Sequence, residues 1–308
     1  MPTTSSTRPP GLGGAGRTNQ PNTGTVPDGE AAPPRPVHVV ARYGVGDLRD
    51  EGEAERLRRR LAVDGLVVFS GIEGPQRVLE VAAAVMRVVL HPDSDARGLT
   101  TLTDLGPAAD RPNAAGFSRR ELLPHTDRSG TADPPALLMT TCATPSITGG
   151  TCLLVDGKAV HDDLARTAPP AVAALLHRGS VLFGGVGGHL GSVLADGPAI
   201  STTAPGATST GGARRMIRLR LDDLVMLSPQ VAVWLPALRA AIDRHTLTAD
   251  LDAGEGYLLD NHRWLHGRTA YTGPRTLYRL HGNPGGEIRF RPGIPLDPDS
   301  APRPGTCR

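Results

Sequence analysis

The chain has 308 residues, of which 39% are hydrophobic and 21% charged, and its formal net charge is +2. This composition is typical of a globular protein, and the small net charge gives no reason to expect a nucleic-acid partner. The three cysteines, an odd number without clustering, argue against a disulfide scaffold and favour a reducing, cytoplasmic setting. No apolar run approaches the length of a membrane span, and no secretory signal is visible.

The first 36 residues differ in composition from the rest of the chain. They are rich in Pro, Gly, Ser and Thr and contain almost no large apolar side chain, so they cannot bury enough surface to offset the entropy of ordering. We therefore predict a disordered leader over 1–36, a single domain over 37–296 and a flexible tail over 297–308. A single β-rich domain of this size is common.

Two helices are predicted at the start of the domain. Apolar residues repeat at helical spacing over 54–61, and Gly65 can end that helix. A second helix opens at Gly74 and Pro75, with an apolar face that runs over 78–89.

From residue 99 onward, short β-type runs alternate with breaks rich in Gly and Pro. Helical patterns interrupt them over 169–177 and 230–245, and a low-complexity surface loop covers 201–212. About eight strands at this spacing indicate a sandwich or jelly roll. The predicted strands cover residues 99–102, 137–142, 151–155, 180–183, 216–221, 246–251, 256–260 and 276–281.

The most informative short segment is Leu123-Pro-His-Thr-Asp127. On an extended segment, His125 and Asp127 point to the same side and can offer an imidazole nitrogen and a carboxylate oxygen to one ion. Taken alone, the His125-Thr-Asp127 triplet is weak evidence, because such triplets occur by chance in many chains, and the alternative is a solvated loop with a capping aspartate.

A second segment, over 256–268, supplies a third candidate ligand. It reads as a buried strand, a polar turn at Asp260-Asn261 and a short strand that carries His266. Two imidazoles and one carboxylate leave one face of an ion open, which suits non-haem iron(II), whereas structural zinc needs four closed ligands. The alternative is a core histidine that is hydrogen-bonded to the backbone.

A third segment contains Arg275 and Arg279, which lie four residues apart on a strand and therefore face the same way. A guanidinium can grip a carboxylate through two parallel hydrogen bonds, as a dicarboxylate co-substrate requires at its far end. The alternative is a surface arginine on an edge strand.

In their order along the chain, these segments resemble the clavaminate synthase-like and taurine dioxygenase branch of the iron(II)/2-oxoglutarate oxygenases. The glycine-rich strand over 149–154 also resembles that branch, and the likeness spans roughly residues 61–281. The resemblance implies a mainly β fold with flanking helices, namely a double-stranded β-helix or jelly roll. It also implies Fe(II), 2-oxoglutarate and O2 as co-reactants, an unactivated C–H bond as the target, and succinate and CO2 as by-products.

The resemblance assigns iron binding to three residues by their motif positions, namely His125, Asp127 and His266. Asp127 stands where halogenating relatives have a small residue, so halogenation is not expected. Hydroxylation is the default outcome, and desaturation or ring formation needs only a different fate of the substrate radical.

The resemblance also assigns residues to 2-oxoglutarate. Arg275 is expected to bind its distal carboxylate, and Arg279 matches a second arginine that lies near the substrate or the co-substrate. A threonine that often assists the first arginine corresponds to Cys152, with Thr151 beside it.

Substrate contacts are expected from charged residues near the His125-Thr-Asp127 triplet and from Arg218, Arg220 and Asp222, which alternate on one β-type run and therefore share a face. Side chains of both signs suit a small polar molecule, such as an amino acid or a natural-product intermediate. A solvated face or a turn is the alternative for each residue. A glycine-rich stretch over 184–191 has the composition of a lid. The candidate substrate residues are Arg120, Glu121, Arg220, Asp222 and His189.

Two other functions are compatible with the same three ligands. One is a jelly-roll hydrolase or isomerase that uses zinc or manganese and needs neither 2-oxoglutarate nor oxygen. The other is a non-catalytic binding module, which the joint presence of all three ligands and Arg275 disfavours. The sequence leaves the substrate, the oxidised carbon and the oligomeric state open.

Overall fold

The computed structural model describes residues 43–48, 50–110, 112, 114–185, 187–197, 213–285 and 291–296. The leader, the loop over 201–212 and the tail lie outside the described residues, so the predicted domain boundaries stay predictions. Among the described helices, none combines the length and the apolar character that a bilayer crossing requires.

Strands dominate the described chain. In chain order they are β1 (Gly44–Asp47), β2 (Leu66–Ser70), β3 (Met86–Val89), β4 (Thr100–Leu102), β5 (Leu122–His125), β6 (Leu137–Thr144), β7 (Thr148–Gly149), β8 (Cys152–Asp156), β9 (Val181–Phe183), β10 (His189–Gly191), β11 (Leu194–Asp196), β12 (Arg214–Ile217), β13 (Val225–Leu227), β14 (Thr246–Ala249), β15 (Gly256–Asp260), β16 (Trp264–Arg268), β17 (Tyr271–Thr272), β18 (Thr276–Pro284) and β19 (Ile294–Pro295). The α-helices are α1 (Glu51–Asp64), α2 (Gly74–Val85), α3 (Gly157–Thr167), α4 (Pro169–Leu175), α5 (Pro229–Ala232) and α6 (Leu235–Arg244).

Two sheets form the centre of the fold. The major sheet has the order β1-β2-β15-β6-β18-β3, and β4 also pairs with β18; the minor sheet has the order β14-β8-β16-β5. Side chains from both sheets, including Leu138 and Tyr257 of the major and Leu154 and Trp264 of the minor, share one buried cluster. The sheets therefore face each other across a common core, as in the predicted jelly roll.

Helices cover the outer faces of both sheets. Leu61 of α1 and Val78 of α2 pack on the major sheet in a second buried cluster. Leu164 of α3 and Leu238 of α6 pack against Leu265 of the minor sheet in a third. The central strands of both sheets are thus held between the common core and a helical layer.

The predicted helices are confirmed at the end of α1 but differ from the structure at two other places. Gly65 ends α1 with φ 69°, and its N–H donates to the carbonyl of Leu61, as predicted. The predicted apolar face over 78–89 is too long, because Met86 turns to extended geometry and β3 pairs with the end of β18. The predicted helix over 230–245 is two helices, because Pro236 favours a new start.

The predicted strand over 216–221 is also misplaced. Strand β12 ends at Ile217, and the residues that follow leave the sheet. There Leu219 exchanges hydrogen bonds with Thr126: its carbonyl accepts from the Thr126 N–H at 2.9 Å, and its N–H donates to Thr126 Oγ1 at 3.0 Å. These two hydrogen bonds hold the segment against Thr126, within the candidate iron triplet, so the segment does not extend strand β12.

Candidate metal centre and the cavity above it

Strand register brings the two candidate histidines together. His125 on β5 and His266 on β16 are direct partners in an antiparallel pair, and their ring centroids lie 4.4 Å apart. Gly267 allows the strands to approach, because a Cβ at that position would lie 2.4 Å from the carbonyl oxygen of Leu122. Residues far apart in the sequence thus become neighbours on one face of the minor sheet.

Asp127 completes the cluster just beyond the end of β5. Its Oδ1 lies 3.4 Å from Nε2 of His125 and 3.8 Å from Nε2 of His266. One donor atom from each residue can be chosen so that all three lie within 4.8 Å of one another. This spacing suits a single ion with two nitrogen ligands and one oxygen ligand.

Protonation of the histidines fits that role. Nδ1 of His125 lies 2.9 Å from the carbonyl oxygen of Leu123, so Nδ1 carries the proton and Nε2 presents a lone pair towards Asp127. Burial, together with the neighbouring His125, lowers the pKa of His266 to about 3. The His266 ring is therefore available as a neutral imidazole, the form that binds a metal ion.

The carboxylate of Asp127 is held from its other side. Its Oδ2 lies 2.7 Å from Nε2 of His281 and 3.1 Å from Nη1 of Arg279. Burial alone would raise the pKa of Asp127, but the charge of Arg279 and the hydrogen bond from His281 outweigh burial and hold the pKa well below its usual range. Asp127 thus stays ionised, with Oδ2 occupied and Oδ1 turned to the two imidazoles.

Asn261 fixes the backbone of Asp127. Its Oδ1 accepts from the Asp127 N–H at 2.8 Å, while its Nδ2 donates to the carbonyls of Asp127 at 3.1 Å and Pro135 at 2.9 Å. The polar turn that the sequence pattern predicts after β15 therefore orients the iron triplet.

A cavity of about 350 Å³ opens above the cluster. Three of the predicted substrate residues, Glu121, Arg220 and Asp222, line it together with Arg279. Its remaining walls come from residues 91–93, 112, 115–117, 122–123, 125–131, 184–185 and 221.

Arg220 and Asp222 reach the cavity as an ion pair. Nε and Nη2 of Arg220 each lie 2.6 Å from one Asp222 oxygen, and Nη1 donates to the carbonyl of Gly184 at 2.9 Å. Arg218, predicted on the same face, is buried elsewhere. It donates to the carbonyls of Ser129 at 2.6 Å and Ala132 at 2.9 Å, and also to that of Thr131.

Two predicted substrate residues do not lie on the cavity wall. Arg120 is exposed and donates to Oδ1 of Asp110 at 2.9 Å. His189 lies on β10, where it stacks on Phe183 with a centroid separation of 6.5 Å. The sequence patterns placed both residues near the site. Arg120 instead points outward, and His189 lies in the small sheet β10-β9-β13, so neither lines the cavity.

Arg275, the predicted anchor of 2-oxoglutarate, immediately precedes β18, whereas His281 lies towards the other end of that strand. Arg275 is 9% exposed, donates to the carbonyl of Gly150 at 3.3 Å and lies over the Tyr271 ring at 5.3 Å. Burial raises the pKa of the Cys152 thiol to about 11, against the opposing charge of the nearby Arg275. Thr151 instead donates its hydroxyl to Oδ1 of Asp250 at 2.6 Å, so Cys152 is the better-placed partner for Arg275.

Several site residues escaped the sequence patterns. His281 and His91 stack at 5.1 Å, and burial, with the charges of Arg279 and His281, lowers the pKa of His91 to about 4. Burial likewise raises the pKa of Tyr257, whose phenol lies near Cys152, Asp127 and Arg275. Only His281 carried a usable signal, because it follows Arg279 by two positions on the same strand.

Solved structures share this fold at low sequence identity. An asparagine oxygenase in complex with Fe(II), 2S,3S-3-hydroxyasparagine and succinate is 17% identical, with a TM-score of 0.56 over 75% of this chain and 78% of that chain. The non-heme iron oxygenase OrfP with Fe, succinate and (3S)-hydroxy-L-Arg is 14% identical, with a TM-score of 0.56 over 76% and 81%. PvcB from Pseudomonas aeruginosa is 17% identical, with a TM-score of 0.58 over 81% and 88%. These likenesses establish the double-stranded β-helix fold.

Membership of a family rests on the sequence itself. No curated protein matches the chain significantly. A model of the family described as taurine catabolism dioxygenase TauD, TfdA family matches residues 38–281, which is most of the chain. The chain therefore belongs to the TauD/TfdA family and is an Fe(II)- and 2-oxoglutarate-dependent oxygenase.

Proposed function

We propose that this oxygenase hydroxylates an unactivated C–H bond of a small polar substrate, an amino acid or a natural-product intermediate, with iron held by His125, Asp127 and His266. The observation that carries the proposal is the convergence of these three donors within 4.8 Å beside an open cavity. Two imidazoles and one carboxylate leave room for a co-substrate and oxygen on the same ion. Family membership favours this function over a hydrolase, an isomerase or a binding module.

The protein's own residues prepare this site before any reactant binds. The Leu123 carbonyl fixes the tautomer of His125, so that Nε2 faces the ion. Arg279 and His281 hold Oδ2 of Asp127 and leave Oδ1 free. When bound, iron(II) and 2-oxoglutarate supply the oxidising chemistry, which consumes O2 and releases succinate and CO2.

Arg275 is proposed to bind the distal carboxylate of 2-oxoglutarate. A guanidinium presents five N–H donors, and the described residues engage it through one long bond, to Gly150. The buried thiol of Cys152 remains protonated at neutral pH and can donate a weak hydrogen bond to the same carboxylate. Arg279, which is already bound to Asp127, would border the co-substrate rather than anchor it.

An amino-acid substrate is supported by two considerations. The cavity volume, about 350 Å³, is at the small end of the range for ligand pockets. The solved asparagine oxygenase and OrfP carry a hydroxylated asparagine and a hydroxylated arginine. Glu121, Arg220 and Asp222 are the predicted contacts that the cavity retains.

A reducing, cytoplasmic setting is part of the same proposal. It is supported by Cys142 and Cys152, which are both buried and both free thiols.

The decisive experiment adds Fe(II) and 2-oxoglutarate to the protein under nitrogen and records the weak visible charge-transfer band of their complex. Wild type is expected to show the band, and succinate should appear when oxygen and a substrate are admitted. His266→Ala should lose both the band and the succinate, since two ligands remain. His177→Ala, a change of an exposed histidine away from the site, is the matched control and should behave as wild type. Retained turnover in His266→Ala would refute the ligand assignment.

A further inference from the structure

Arg128 has an unusual backbone conformation directly after the proposed iron ligand Asp127. Its φ is 60°, and among the described residues it is the single residue other than glycine with a positive φ. A bulky side chain rarely adopts this left-handed geometry unless its surroundings impose it, and such positions concentrate at functional sites.

The surroundings impose it from both sides. Before Arg128, the side chain of Asn261 binds both the N–H and the carbonyl of Asp127. After it, the buried guanidinium of Arg218 binds three carbonyl oxygens over 129–132. Arg128 is the residue between these two fixed points, and it lines the cavity.

The charge of Arg128 is not neutralised by the protein. The other two arginines that line the cavity each have a carboxylate: Arg220 is bound to Asp222 and Arg279 to Asp127. Within the described part of the chain, no carboxylate lies at ion-pair distance from the Arg128 guanidinium. Arg128 lines the cavity together with His91.

Because Arg128 is half-buried and lines the cavity, a bound anion can accept charge-assisted hydrogen bonds from its guanidinium. Glu121 offers the opposite charge, since its carboxylate has no cation at ion-pair distance among the described residues. The protein thus leaves one cation and one anion unpaired on the wall of a single cavity. An α-amino acid is a small molecule that carries both complementary charges.

We propose that Arg128 binds the α-carboxylate of a free amino-acid substrate, with Glu121 receiving its ammonium group. This inference rests on the proposed function, because it names the substrate class of the same site. It differs from what the family resemblance implies, in which a second arginine, here Arg279, lies near the substrate. In this chain Arg279 is engaged by Asp127, so recognition of the substrate anion passes to Arg128.

Two substitutions test the role of the guanidinium without relying on one fold-sensitive change. Arg128→Gln removes the charge and keeps much of the side-chain length. Arg128→Gly removes the side chain and accepts the left-handed backbone freely, so its melting temperature should equal or exceed that of wild type. Arg120→Gln is the matched control, because Arg120 is exposed, bound to Asp110 and off the cavity wall.

Each protein is loaded with Fe(II) and 2-oxoglutarate under nitrogen, so that binding is measured without turnover. The twenty common L-amino acids are titrated, and binding is followed by calorimetry and by the change in the visible band. For each amino acid that binds, its α-carboxamide, which keeps the ammonium but lacks the carboxylate, is titrated next.

Wild type and Arg120→Gln should bind at least one amino acid, and its carboxamide at least tenfold more weakly. Both Arg128 variants should bind the amino acid about 10- to 100-fold more weakly, the range expected for a lost charge-assisted hydrogen bond. Their affinity for the carboxamide should match that of wild type, because the missing partner is the carboxylate.

Equal amino-acid affinity in Arg128→Gln and wild type would overturn the assignment. So would a carboxamide that binds wild type as tightly as the acid, or the failure of every amino acid to bind wild type. The visible band, recorded before any amino acid is added, tests the proposed function separately. If wild type lacks the band, the oxygenase proposal fails; if the band is present and the affinities are unchanged, only the role of Arg128 fails.

Discussion

Residues at the floor of the cavity lie on paired strands, whereas residues of its wall lie on loops. His125, His266 and Arg279 take their positions from β5, β16 and β18, and the register between β5 and β16 sets the two imidazoles side by side. The wall residues Arg128 and Arg220 lie on loops, and arginine side chains that donate hydrogen bonds to backbone carbonyl groups fix the positions of these loops.

This difference between strands and loops suggests that the reaction chemistry and the choice of substrate depend on different parts of the fold. Strand geometry tolerates little movement because each residue is fixed by its neighbours in the ladder and by packing on both sides. Loops can change sequence without disturbing the sheet. We infer that the floor holds the iron and 2-oxoglutarate common to the family, while the loops select the substrate of this chain.

The largest effect outside the iron ligands is expected at Arg275. Arg275→Gln removes the positive charge at the proposed 2-oxoglutarate carboxylate and should raise the KM for 2-oxoglutarate about 100-fold, since two charge-assisted hydrogen bonds are lost. Arg275→Lys keeps the charge without the planar fork and should raise it about tenfold. Initial rates of succinate formation against 2-oxoglutarate concentration give both values.

The matched control for Arg275 is Arg239→Gln on the exposed side of α6. It should leave the KM for 2-oxoglutarate unchanged. An Arg275→Gln protein with the wild-type KM for 2-oxoglutarate would show that a group other than Arg275 binds the distal carboxylate.

The same division explains what the sequence could and could not predict. Spacing along the sequence sufficed to predict that His125 and Asp127 lie together, although β5 ends at His125 and Asp127 follows in a turn. It failed at Arg128, whose left-handed geometry depends on Asn261 and Arg218, distant residues whose contacts no local pattern records.

The predicted fold was more secure than its element boundaries. The jelly roll follows from many short strands, so the misplaced end of β12 did not change it. Yet that error misassigned Arg218 to the face of Arg220, because a strand was expected where the chain turns to meet Thr126. Local periodicity cannot reveal where a tertiary hydrogen bond outcompetes a sheet ladder.

Asn261 binds the backbone of Asp127, which is both a proposed iron ligand and the residue before the wall residue Arg128. We therefore expect its removal to have an effect of intermediate size. Asn261→Ala leaves the N–H and the carbonyl of Asp127 without their buried partners. Iron(II) affinity should fall about tenfold, as expected when a group that orients a ligand is lost, and stability should fall by about 1–3 kcal/mol. Metal titration and chemical unfolding measure the two effects.

Asp243→Asn on α6 is a suitable control for Asn261→Ala, since it alters an exposed polar residue far from the site. Unchanged iron affinity in Asn261→Ala would mean that the strand β5 alone positions Asp127. The iron site would then depend on the strands alone and not on the contacts that Asn261 makes with the following loop.

The smallest effect is expected at the Arg220–Asp222 pair, which lies wholly within the loop-built wall. Asp222 is half exposed, so Asp222→Asn should change stability by about 1 kcal/mol or less. Arg220 would lose its bidentate partner and hold the Gly184 segment less firmly, which should raise the substrate KM about threefold while iron affinity stays at the wild-type value. Substrate kinetics and metal titration on one preparation test both statements. A tenfold loss of iron affinity would show that the loop residues of the wall also help to position the proposed iron ligands.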